Sequence, residues 1–222
     1  MRQISRLSII AVSIALLMTL ISCSNTQNTP ETDDQPSTPI ENRETVTSGQ
    51  ISDVPESNNA SGDSPQGSVT DAANFEITEN EDGTVTISRY IGTETDIVIP
   101  SQIDGKTVSA IGNVIGTTGA FEGCTSITAV VIPDGVTEIQ DNAFYGCTSL
   151  ETVTIPSSIT LLRNCAFCDC PNLRAVYFKG DAPQQANYVF DSTENVTMYY
   201  QDGTSGWENP WHGRPAEVYI PE

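Results

Sequence analysis

The chain has 222 residues, with 29 acidic against 9 basic side chains and a formal charge of −20. An acidic balance of that size leaves no basic footprint for phosphate, which excludes nucleic acid as a partner. Composition divides the chain into three stretches of unlike character, 1–22, 23–73 and 74–222.

In the first stretch Arg2 and Arg6 precede an apolar run from Leu7 to Ile21. The run is too short for a comfortable membrane span, and it closes on Leu20-Ile21-Ser22-Cys23. That tetrapeptide resembles a bacterial lipobox. The resemblance implies that residues 1–22 are a lipoprotein signal peptide, cleaved before Cys23, whose sulfur then carries a diacylglyceryl group. At about 0.8 kcal/mol per buried CH₂, one acyl chain anchors marginally and two or three hold stably. An ordinary secretory signal with a coincidental cysteine is the plainer alternative.

From Ser24 to Ala73 there is no Leu, Met or aromatic residue, and Ser, Thr, Asn, Asp, Glu and Pro dominate. Such a stretch buries too little apolar area to offset its ordering entropy. Residues 23–73 therefore read as a lipid-anchored, disordered acidic tether, with a reach of about 40 Å from flexible-chain scaling. Next, Phe75-Glu76-Ile77-Thr78 and Thr84-Val85-Thr86-Ile87-Ser88 alternate around Asn80-Glu81-Asp82-Gly83. The pattern predicts a β-hairpin with glycine at the left-handed position of its turn. The four-residue turn lacks the spaced ligands of a calcium loop.

Beyond the hairpin the chain repeats. Phe121, Phe144, Phe167 and Phe190 fall 23 residues apart, and Cys124, Cys147 and Cys170 keep the same step. Residues 127–149 and 150–172 share seven identities: Val130/Val153, Ile132/Ile155, Pro133/Pro156, Thr137/Thr160, Ala143/Ala166, Phe144/Phe167 and Cys147/Cys170. A period of this length marks one supersecondary unit stacked on copies of itself. Within each unit, alternation sends Val130 and Ile132 inward and Ala129 and Val131 outward on a short strand. Proline then ends the strand, because it has no N–H to continue the ladder. The segment Asp141-Asn142-Ala143-Phe144 predicts a single helical or 3₁₀ turn with Phe144 as an inward plug, and Gly146 permits the return corner. Ile97-Val98-Ile99-Pro100 reads as an earlier coil, stretched by an insertion around Ile111 to Gly119.

The repeat I-P-x-x-V-x-x-I-x-x-x-A-F-x-x-C-x-x-L resembles that of BspA-type leucine-rich repeat surface lipoproteins of bacteria, over about residues 75 to 222. That resemblance implies a mainly β fold with short helical turns, a right-handed solenoid of about four to five coils. The hairpin caps one end, and a segment with Trp207 and Trp211 caps the other from about Tyr199 onward. It also implies adhesion or recognition as the function. Lys179, in place of proline, and Asp191-Ser192, in place of Gly-Cys corner residues, depart from the pattern and suggest that the coil ends there.

Six cysteines in an exported chain raise the question of bridges. Cys124, Cys147 and Cys170 stack at one repeat position, about 4.8 Å apart with parallel side chains, whereas a disulfide wants β-carbons converging to about 3.8 Å. They are expected as buried free thiols. Cys165, Cys168 and Cys170 form the one local cluster; a zinc site or a Cys165–Cys168 bridge are its sharper readings, and unpaired surface thiols the plain one. No nucleophile elbow, metalloprotease helix or phosphate loop is present, and His212 is the sole histidine. No catalytic residue, metal site or cofactor is expected.

With strands in register, the outward columns become Ala129, Thr152, Ala175, Met198 and Val131, Thr154, Tyr177, Tyr200, flanked by Glu151 and Arg174. Tyr177, Met198 and Tyr200, with Arg174 and Glu151, are therefore the candidate ligand-binding residues. The expected role is a lipid-anchored, cell-surface module that binds a protein, glycan or envelope polymer through its strand-lined face. A structural or solute-binding envelope lipoprotein without a macromolecular partner is the alternative, favoured by a defined pocket near the C-terminal cap.

Overall fold

A computed structural model describes residues 67–112, 118–185 and 187–220. The signal peptide, Cys23, most of the tether and the core of the insertion after Ile111 lie outside the described residues. In chain order the strands are β1 (Phe75–Glu79), β2 (Val85–Tyr90), β3 (Asp96–Val98), β4 (Gln102–Ile103), β5 (Lys106–Ile111), β6 (Ala129–Val131) and β7 (Glu138–Ile139). They continue with β8 (Thr152–Ile155), β9 (Leu161–Leu162), β10 (Ala175–Phe178), β11 (Gln184–Gln185), β12 (Thr197–Gln201) and β13 (Ala216–Tyr219).

The strands form two walls of a solenoid. One sheet runs β13-β12-β10-β8-β6-β3, all parallel; the other runs β1-β2-β5-β7-β9-β11, parallel except for the β1–β2 hairpin. Each complete coil contributes one strand to each wall and closes through its phenylalanine turn. Val130 pairs with Val153 and Val153 with Val176, as the repeat requires, and Ile139 lies against Leu162.

The turns stack as well. Phe121 N–H donates to the carbonyl of Ala143 (2.7 Å), Phe144 to Ala166 (2.8 Å) and Phe167 to Val189 (2.9 Å). Their rings form a ladder at centroid spacings of 4.8, 5.1 and 5.5 Å, within 13° of parallel. Offset-stacked rings at this spacing add about 0.5–1.5 kcal/mol per pair to their burial. The expected helical turn is a run of single hydrogen-bonded turns instead, such as Tyr145 N–H to Asn142 O (3.0 Å). Asn142 (φ 58°) and Gly146 (φ 68°) bracket that run in the left-handed conformation, leaving too few residues between them for a helix.

The row of Cys147, Cys170 and Thr193 has a function beyond filling space. Cys147 Sγ donates to the Phe121 carbonyl (3.1 Å), Cys170 Sγ to that of Phe144 (3.1 Å), and Thr193 Oγ1 to that of Phe167 (2.7 Å). Each side chain gives a donor to a buried carbonyl of the coil below; those of Phe121 and Phe144 also accept from the N–H groups of Cys124 (3.0 Å) and Cys147 (3.3 Å). Cys147 and Cys170 are free thiols. Burial pushes the Cys147 thiol well above its ordinary range and the Cys170 thiol up to about 12. Cys124 heads the same row, buried, but is not a free thiol as the spacing argument expects. Cys165 and Cys168 form a disulfide. It ties Cys165, which takes the left-handed place of Asn142 one coil on (φ 51°), to the turn.

The two sequence departures do not end the stack. Lys179 uses the N–H that proline lacks to bond Ile155 O (3.0 Å), and Ser192 adopts the corner conformation of Gly146 (φ 55°). β12 is a regular strand, so the C-terminal cap begins after it rather than at Tyr199. In the cap Trp207 contacts Phe178 (4.8 Å) and Trp211 (4.8 Å), and β13 adds a last strand. At the other end the hairpin lays Tyr90 on Phe121 (5.2 Å). Thr70, assigned to the tether by composition, bonds both ways with Val98 at 2.9 and 3.1 Å, covering the free edge of β3. The β4–β5 hairpin through Asp104-Gly105 was not foreseen from the repeat, although Asp-Gly is a turn signal.

Candidate functional site

The outward face of the first sheet carries the candidate residues, and its C-terminal half is aromatic. Tyr177 on β10 stacks against Tyr199 on β12 at 5.1 Å and meets Tyr219 of β13 edge-on at 5.3 Å. Gln201 Nε2 donates to the Tyr219 hydroxyl at 3.3 Å. Parallel strands put like-facing side chains about 4.8 Å apart, the spacing at which rings stack. Arg174 and Glu151 pair beside this cluster, both side chains substantially exposed.

This arrangement corrects two of the candidate residues. Val176 pairs with Met198, a step of 22 residues, and Tyr177 pairs with Tyr199. The coil that holds β12 lacks one residue between Val196 and Thr197: Thr197 N–H bonds Arg174 O (3.0 Å) as Ala175 N–H bonds Glu151 O (3.3 Å) in the coil before. A slip of one residue turns every side chain of a strand to the other face. Met198 is therefore inside, 0% exposed. Tyr200 faces the C-terminal cap, stacked on Trp207 at 4.9 Å and 3°. Tyr199 takes the outward place instead. The missing residue is visible in the sequence once Val196 is set against Leu173 and Met198 against Val176. Tyr219 had no such signal, because it comes from the cap and not from the repeat.

Burial raises the pKa of Tyr177, with neighbouring Tyr199 adding to the effect; burial also raises Tyr199, helped by Glu217, and Tyr219. All three phenols stay protonated at neutral pH and can donate or accept hydrogen bonds. Flat amphipathic rings, a donor-acceptor hydroxyl on each, and a rim of paired charge make a contact surface without a reactive group.

Comparison with known proteins places the repeat. The BspA type leucine rich repeat region matches residues 107–204 in six copies. Among solved structures, the Treponema pallidum leucine rich repeat protein (TpLRR) is 23% identical at a TM-score of 0.50, covering 70% of this chain and 84% of its own. A leucine rich cell surface protein from Faecalibacterium prausnitzii is 30% identical at a TM-score of 0.50, covering 72% of this chain. This chain spans 44% of that protein's length. No curated protein matches. The repeats over residues 107–204 are of the BspA leucine-rich repeat type.

Proposed function

We propose that the chain is a recognition or adhesion module of a bacterial cell surface, held to a membrane by lipid on Cys23 and binding a protein partner through Tyr199 and Tyr219, which are backed by Tyr177, itself only 9% exposed. One observation carries this reading: three tyrosines from separate strands converge on the outward face of a rigid sheet. Tyrosine is enriched at protein interfaces because its ring gives large contact area and its hydroxyl remains satisfiable. The acidic tether supplies reach beyond the lipid surface, and a short solenoid gains avidity when many copies are displayed together. The cell-surface assignment of the F. prausnitzii relative supports the location.

The test is capture from envelope and host-matrix protein extracts by the mature chain, then affinity measurement on the captured partner. Tyr199→Ser with Tyr219→Ser is expected to weaken binding at least tenfold; the two lost ring contacts to Tyr177 cost about 1–3 kcal/mol of stability, so affinity is measured well below the unfolding transition. Equal affinity in the folded double variant refutes the site. Cys23→Ser is expected to release the protein from the membrane fraction, and retention there refutes the anchor. The second reading, a structural or solute-binding envelope lipoprotein, draws on a cavity beside the C-terminal cap; extracts that yield no partner favour it.

A further inference from the structure

The two sheets do not end together. The first continues through β12 and β13, while the second stops at β11. One section of coil is therefore missing on that side, and the loop after Trp211 borders the gap. The result is a cavity of about 530 Å³, whose lining includes Gln185, Tyr188, Phe190 and Asp191 of the fourth coil and His212 and Arg214 of the loop. We propose that this cavity binds the end of a neutral saccharide chain, a site that shares no residue with the tyrosine face.

Its volume lies within the roughly 300–1,000 Å³ of small-molecule sites. Tyr188, 72% exposed, is held in the left-handed conformation (φ 64°), where the equivalent residue two coils earlier is Asn142 (φ 58°). Asparagine takes that conformation readily and a tyrosine does not, so the ring stands at the cavity against local backbone preference. Such a ring offers an apolar face to the C–H side of a pyranose and a hydroxyl at its tip. Gln185 Oε1 is shielded from solvent and has no hydrogen-bond partner among the described residues. Buried acceptors are rarely left so, and a side-chain rotation that turns the amide into the cavity would let a sugar hydroxyl donate to it. Arg214 Nη2 donates to Phe190 O at 2.9 Å, which fixes a guanidinium that has further N–H groups to offer. Asp191 supplies acceptors on the same wall and opposes an anionic ligand. Donors and acceptors of both signs around one ring suit a neutral polyol. A bound peptide strand suits the gap less, because β11 presents a ladder only two residues long.

Cellotriose, maltotriose and tri-N-acetylchitotriose are titrated into the full mature chain, followed by saturation-transfer NMR and calorimetry. Saturable binding of at least one is expected. Tyr188→Asn, which removes the ring and suits the backbone, is expected to weaken it at least tenfold. Gln185→Met, which removes the acceptor and nearly keeps the shape, is expected to weaken it several-fold and serves if the first variant does not fold. Tyr199→Ser with Tyr219→Ser leaves it unchanged if the inference holds. The proposal is overturned if none of the three saccharides binds, if binding survives both cavity variants, if the strand-face pair abolishes it, or if an extended peptide occupies the cavity instead.

Discussion

The one-residue slip at Thr197 makes opposite demands on two neighbouring side chains, and a pair of substitutions separates them. Met198 is fully buried and opposite Val176, between the fourth coil and Ala216 of the cap strand. Truncation to alanine removes its buried methylenes and sulfur and leaves a cavity, for a loss of about 2–5 kcal/mol. Tyr199 is half-exposed and loses chiefly its ring contact with Tyr177, about 0.5–1.5 kcal/mol. Urea unfolding of Met198→Ala and Tyr199→Ala, at matched m-values, is expected to show the methionine variant the less stable by at least about 1 kcal/mol. If instead Tyr199→Ala is the more destabilising, β12 keeps the regular 23-residue step and the tyrosine face as described does not exist.

Three further outcomes follow from the interior. Cys147→Thr keeps a side-chain donor for Phe121 O, as Thr193 does for Phe167 O, whereas Cys147→Val leaves that carbonyl only the Cys124 N–H; thermal or urea unfolding is expected to favour the threonine variant by about 0.5–1.5 kcal/mol, and a more stable valine variant refutes the donor role. The folded pKa values of Cys147 and Cys170 lie above that of an unfolded thiol, about 8.5, so their stabilisation is full below that pH and is lost as pH rises toward the folded values. The urea midpoint should therefore fall between about pH 8 and pH 10, and fall less in a variant with threonine at both positions; equal slopes contradict the buried-thiol assignment. Phe144→Ala, which removes a ring stacked on both sides, is expected to cost about 3–5 kcal/mol, and Phe190→Ala, at the end of the ladder, measurably less by the same assay.

Much of this was legible in the repeat because stacking leaves each residue type little choice. Val130, Ile132, Phe144 and Ile139 face inward in every copy, and a fixed step is the only way for one coil to cover the next. The hairpin from Phe75 and the tryptophan lid were legible for the same reason, since exposed coil ends need covers. Periodicity fails where the period itself changes. The residue missing after Val196 leaves Phe190 in step and turns Met198, Tyr199 and Tyr200 over, so a face inferred by adding 23 came out inverted at its last rung. Contacts made outside the repeat, such as Tyr219 on Tyr177 or Thr70 on Val98, obey no period and left no mark. The role of Cys147 as a donor was hidden because cysteine reads as a small apolar residue until its carbonyl partner is located.

The rows that hold Phe121, Phe144 and Phe167 in line also make the molecule extensible. A tandem duplication of residues 150–172 would offer every row the same partners above and below, and both ends would find the surfaces they already cover. The protein would grow by one strand spacing, about 4.8 Å, with its termini untouched. Lineages that need a longer grip on a surface can obtain it by copying a single cassette, without redesigning either end.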